Sequence, residues 1–179
     1  MSEYTVKIKR LFTLLISATV ILTLTTTGMS AASSSPKNSD LAILGSSNGT
    51  NDLSRQLVAE VNEAYRNQQG NLLSVTWGIY NTGDNHVVLS WLNQYSYVYS
   101  GPNFAGVTAF DPKEGKRFHP VMDGENYCLC SGEYSVQLQE TAVPRSTVTY
   151  WSMYSVPEDL ESITIEIPGF DPIEDIPIS

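Results

Sequence analysis

Beyond Gly70 the apolar residues of this chain recur every second position, a period that suits strands and leaves little room for helices. Leu73, Val75, Trp77 and Ile79 alternate with Ser74, Thr76, Gly78 and Tyr80. The turn-forming run Asn81-Thr82-Gly83-Asp84-Asn85 follows, and Val87, Leu89 and Trp91 alternate again, which predicts a hairpin. Further alternating runs lie at Val107–Ala109, Arg117–Val121, Tyr134–Leu138, Val148–Tyr154 and Ile163–Ile167, and Ile176 and Ile178 suggest a short terminal strand. Turn residues punctuate them at Gly101-Pro102-Asn103, Asp111–Gly115, Asp123–Asn126 and Pro168-Gly169. Roughly seven to nine short strands with turns about every ten residues argue for an antiparallel β-sandwich, with a closed barrel as the second reading.

One segment breaks the pattern. Leu53, Leu57, Val58, Val61, Ala64 and Tyr65 fall at helical spacing, with Asn51 or Asp52 to cap the start and Gly70 to end it. They predict one N-terminal α-helix over residues 52–68.

The opening of the chain reads as a cleavable export signal, residues 1–32. Lys7, Lys9 and Arg10 precede an uncharged run from Leu11 to Leu24, and small residues cluster at Gly28, Ser30, Ala31 and Ala32. The run is short and Ser/Thr-rich for a membrane span, which needs about 20 apolar residues, so no stable span is expected in the mature form. Residues 33–50, with Ser33-Ser34-Ser35-Pro36 and Ser46-Ser47-Asn48-Gly49, read as a flexible linker. Residues 51–179 form the domain, long enough for a real core. The expected location is secreted, with association to the cell envelope.

The formal net charge is −9, and loss of Lys7, Lys9, Arg10 and Glu3 with the signal makes the remainder more acidic still. Such a surface repels nucleic acid. No Lys or Arg follows Arg145, whereas Glu158, Asp159, Glu161, Glu166, Asp171, Glu174 and Asp175 do. Either a docking surface for a cationic partner or a solvated strand edge produces that pattern.

Motifs for catalysis are missing. His86 and His119 are the only histidines, and the sequence holds no Gly-x-Ser-x-Gly elbow, phosphate loop, dinucleotide fingerprint or His-Glu-x-x-His motif. The reading is therefore non-enzymatic, without a cofactor. Cys128-Leu129-Cys130 is the sharpest local feature. An exported chain favours a disulfide, and one spanning a single residue closes a small, strained ring. Free or intermolecular thiols, and a soft-metal site with His119 as third ligand, are the alternatives. Trp91, Tyr95, Tyr97 and Tyr99 share one parity if a strand runs through Asn93, so they form either an exposed stacking platform or a core face. The loops Gly101–Asn103 and Asp123–Ser131 are further candidates for a recognition surface.

Several stretches together carry a resemblance: Asp111-Pro112, Gly115-Lys116-Arg117-Phe118 with Pro120, Cys128-Leu129-Cys130-Ser131, Val156-Pro157, Ile167-Pro168-Gly169-Phe170 and Glu174-Asp175-Ile176-Pro177-Ile178. Their order is similar to an uncharacterised module of secreted bacterial envelope proteins, which in longer chains precedes an OmpA-type peptidoglycan-binding domain. The segment from Val75-Thr76-Trp77 to Asn81-Thr82-Gly83-Asp84 resembles the first hairpin of immunoglobulin-like secreted bacterial domains. The resemblance covers roughly residues 72–179. It implies an all-β, immunoglobulin-like sandwich, free-standing because Ser179 falls where the OmpA-type domain would begin, and it implies no catalytic residue. The function so read is an envelope binding or accessory module whose partner is a wall polymer or a protein. An acidic inhibitor or immunity-type protein for a basic secreted partner, and a Cys-x-Cys redox or metal carrier, are the rival readings.

Overall fold

The computed structural model describes residues 41–68, 71–95, 98–135 and 138–179, and the signal-like segment 1–32 lies outside them. Two four-stranded antiparallel sheets account for most of the regular structure. The first has the order β1 (Gly45–Asn48), β2 (Leu57–Arg66), β3 (Leu72–Asn81) and β8 (Thr147–Ser155). The second has the order β10 (Ile173–Pro177), β9 (Ser162–Glu166), β5 (Thr108–Asp111) and β6 (Lys116–Phe118). A two-stranded piece joins β4 (Val87–Val88) to β7 (Thr141–Ala142). Short 3₁₀ turns occupy Ser90–Tyr95 and Glu133–Ser135.

Both sheets feed one buried cluster. Val61, Trp77, Ile79 and Tyr150 come from the first sheet, and Ala109, Ile163, Ile165 and Ile176 from the second. The Trp77 ring lies 4.7 Å from Tyr150, and Phe104 meets Tyr150 edge-on at 4.7 Å, pairs worth about 0.5–1.5 kcal/mol each beyond their burial. The polar ends of these rings are satisfied. Trp77 Nε1 donates to Ser152 Oγ (3.2 Å) and the Tyr150 hydroxyl donates to Gln139 O, and the hydroxyl of the neighbouring buried Tyr154 donates to Val107 O (3.0 Å).

The predicted helix over 52–68 is not formed, because residues 57–66 are β2. The cause is a β-bulge. Val61 pairs with Trp77 but Glu63 pairs with Thr76, leaving Asn62 as an extra residue. Inward positions therefore run Leu57, Ala59, Val61 and then Ala64. The spacing of Leu57, Val61 and Ala64 imitates a helical face, while Leu53 and Tyr65 of the same apparent stripe are exposed.

The linker reading also needs correction at its end, since Gly45–Asn48 forms β1. Its polar composition suits an edge strand fastened by backbone. Leu44 N donates to Val61 O (2.7 Å), Thr50 N to Gly169 O (2.9 Å) and Asp171 N to Asn48 O (3.3 Å). The expected hairpin around Asn81–Asn85 is likewise absent, because β3 pairs with β2 and β8. The buried Asn81 side chain redirects the chain. Its Nδ2 donates to Asn85 O (2.8 Å) and Ala142 O (3.0 Å), and its Oδ1 accepts from Gly83 N (2.9 Å). That steers Val87–Val88 onto β7.

Beyond β8, the segment from Pro120 to Ser131 covers its free edge. Val121 N donates to Met153 O (2.8 Å), Met153 N to Leu129 O (2.9 Å) and Ser131 N to Trp151 O (2.9 Å). An edge so covered is closed to unwanted strand pairing.

A groove over Gly78 as candidate functional site

The outer face of the first sheet can be read row by row from its register. Val58, Tyr80 and Thr147 form one row, and Glu60, Gly78 and Thr149 the next. Glu63, Thr76 and Trp151 follow, then Tyr65, Ser74 and Met153. Gly78 is thus the one place in these rows without a side chain. Glu60 and Thr149 flank it, two strand spacings apart, about 9.6 Å between backbones. A Cβ at Gly78 would meet Thr147 Cγ2 at 2.8 Å and Val148 O at 3.0 Å, so the position is closed to larger residues.

The β2 bulge completes the site. Asn62 Oδ1 stands 3.8 Å from where that Cβ would be, and Asn62 Nδ2 donates to Ala42 O (3.2 Å). The amide thereby ties the segment leading into β1 to β2. A groove of about 210 Å³ results, with Glu60, Asn62, Thr147 and Thr149 along it and Leu41, Ile43 and Tyr80 as its apolar wall. Leu41 and Ile43 are 49% and 56% exposed.

The electrostatics of the groove are one-sided. Asn62 Oδ1 and Thr149 Oγ1 are shielded from solvent and have no hydrogen-bond partner. Each unsatisfied buried group costs about 1–3 kcal/mol. Burial pushes the Glu60 carboxyl above its ordinary value, and among the described residues no cation pairs with it. The groove therefore sets a carboxyl without a cation beside two unpartnered oxygens.

The outer face of the second sheet is different in kind. Glu166 is fully engaged: it accepts from Arg117 Nε and Nη2 (both 2.7 Å) and from Thr108 Oγ1 (2.9 Å), which holds its carboxyl below the usual range. Arg117 also lies over the Phe110 ring, 5.5 Å from its centre. The charge of Glu166 is thus matched by Arg117.

The residues singled out from sequence do not assemble into one site. Trp91 lies in the 3₁₀ turn Ser90–Tyr95, is 7% exposed, and stacks on Phe170 at 6.3 Å. The Tyr99 hydroxyl donates to Pro120 O (2.6 Å), and burial raises its pKa. The strand through Asn93 that would align these rings is absent, so Trp91 and Tyr99 form no exposed row. The side chain of Tyr95 and all of Tyr97 lie outside the described residues.

Cys128 and Cys130 are at disulfide distance from each other, with Cα atoms 5.2 Å apart, which matches the local-disulfide reading. Paired in this way, neither sulfur is a thiolate ligand. His119 is exposed just after β6. No group of three or more His, Cys, Asp or Glu among the described residues is placed to hold a metal ion.

The two candidate loops are held by their own side chains. Asn103 donates to Gly101 O (2.7 Å) and accepts from Ala105 N (3.0 Å). Asp123 Oδ1 accepts from Glu125 N (3.0 Å) and Tyr127 N (2.8 Å). Among the described residues no helix is long and apolar enough to cross a membrane.

Sequence reasoning missed Glu60, Asn62 and Thr149 as a set, because they come together only through sheet register. The available signal was Gly78, a glycine inside a strand of large residues. Comparison with protein families, characterised proteins and solved structures finds no match to this chain.

Proposed function

We propose that this chain is an exported, non-enzymatic binding module that recognises its partner on the outer face of the first sheet, at the groove over Gly78. The signal-like N-terminus and the envelope-type resemblance supply the location, and the two-sheet core is consistent with an immunoglobulin-like scaffold. The observation that carries the reading is the pair of shielded, unpartnered oxygens, Asn62 Oδ1 and Thr149 Oγ1, beside an unneutralised Glu60. A fold with no use for that groove would gain stability by replacing Thr149 with Val. Retaining a destabilising polar set in a cleft is the behaviour of a recognition site.

The rival reading, an acidic protein that docks on a basic secreted partner, draws support from the same groove, since Glu60 lacks a cation. The test is retention of the full-length protein on isolated cell walls and on secreted protein from the source organism. The Glu60→Gln/Thr149→Val variant should lose retention, and Glu114→Gln, on the exposed turn between β5 and β6, should keep it. Equal retention of all three would remove the groove from the account.

A further inference from the structure

We infer that the group received by the groove over Gly78 is an alkylammonium, carried by a lysine side chain of a protein partner. The inference rests on the binding-face reading and adds the chemistry of the occupant. Three observations select it. The shielded unpartnered atoms at the groove are both oxygens, Asn62 Oδ1 and Thr149 Oγ1, and they stand beside the Glu60 carboxyl, while one N–H of the Asn62 amide is already given to Ala42 O. An ammonium brings three N–H donors on one atom, together with the charge that Glu60 lacks. An anion would meet the like charge of Glu60.

The second observation is size. A space of about 210 Å³ is below the roughly 300–1,000 Å³ of small-molecule pockets. It suits one extended side chain better than a sugar chain or a ring system. The third is the wall. Leu41 and Ile43 present exposed aliphatic surface at the rim and Tyr80, the middle residue of the first row, adds its ring. A four-carbon stem lying on that wall buries apolar area from both partners, as lysine stems do elsewhere. The ammonium meets Glu60 first. Its remaining donors point along the groove toward Asn62 Oδ1 and Thr149 Oγ1. The overall charge of −9 favours a basic partner.

The experiment is a titration of the isotope-labelled full chain with Nα-acetyl-lysine methylamide, following the amide signals of Asn62, Gly78 and Thr149. Saturable shifts confined to these rows are expected, in the millimolar range of a single side chain. Glu60→Gln should weaken binding about tenfold. Thr149→Val should weaken it while leaving the rest of the spectrum unchanged, which shows that the fold is intact. The Nε-acetylated derivative, with the same stem and no charge, should not bind. Equal shifts from that derivative, or no shifts from the lysine probe, would overturn the inference. If the lysine probe fails while Glu60→Gln/Thr149→Val still abolishes retention on walls or secreted protein, the binding face stands and the ammonium falls. Tighter binding of 1,4-diaminobutane than of the lysine probe would assign the group to a free amine and overturn the protein source.

Discussion

Asn62, the extra residue of the β2 bulge, carries its Oδ1 to 3.8 Å from the point where a Cβ of Gly78 would stand. One irregularity in β2 and one missing side chain in β3 therefore make a single feature. The bulge turns the Asn62 amide over the sheet, and the glycine leaves the space that it overlooks. Replacement Gly78→Ala should cost about 1–3 kcal/mol, because its methyl meets Thr147 Cγ2 at 2.8 Å and the backbone oxygen of Val148 at 3.0 Å. Urea unfolding checks this, and a neutral result would mean that the sheet yields there.

Glu60 gives a pH signature. Burial raises its folded-state pKa above the ordinary carboxyl range. At neutral pH the charged carboxylate is a liability of the folded state. As pH falls through the raised value the folded protein takes up a proton before the unfolded chain does, and the liability disappears below the unfolded value. Glu60→Gln should therefore be more stable than wild type at neutral pH, with the difference shrinking toward zero below about pH 4. Parallel stability curves across that range would show that Glu60 is not desolvated.

Gly169 bears two constraints at once. Its φ is +83°, and a Cβ there would meet Trp91 Cζ3 at 3.0 Å and Cη2 at 3.1 Å. The same turn accepts hydrogen bonds at Gly169 O from Ser54 Oγ (2.6 Å) and Thr50 Oγ1 (3.0 Å). Gly169→Ala should lower stability by about 2–3 kcal/mol and disturb the Trp91–Phe170 stack. Thermal unfolding together with near-ultraviolet circular dichroism reads both effects.

The class of fold was legible because strand alternation is local. Leu73–Ile79, Val148–Tyr154 and Ile163–Ile167 each declare a buried face within a few residues. What misled was also local. Asn62 adds one residue to β2, and that single insertion converts a period of two into an apparent helical spacing across Leu57, Val61 and Ala64. The turn at Asn81–Asn85 looked like a hairpin because its residues suit one, but the buried Asn81 side chain binds Ala142 O, 61 residues away, and the strands part. Trp91 and Tyr99 are not aligned for a similar reason, since parity has meaning only in a strand and Trp91 sits in a 3₁₀ turn. The groove could not be read at all. Glu60, Gly78 and Thr149 become neighbours only through the β2–β3–β8 register, which long-range pairing sets.

The measurement that bears most directly on the groove is the urea unfolding of Thr149→Val beside wild type. Val keeps the shape of Thr and removes an oxygen that has no partner. A rise in stability of about 1 kcal/mol, with an unchanged denaturant slope, is the result this account requires. A loss of stability of similar size would show that Thr149 Oγ1 serves the fold, and would contradict the claim that it is held for a ligand.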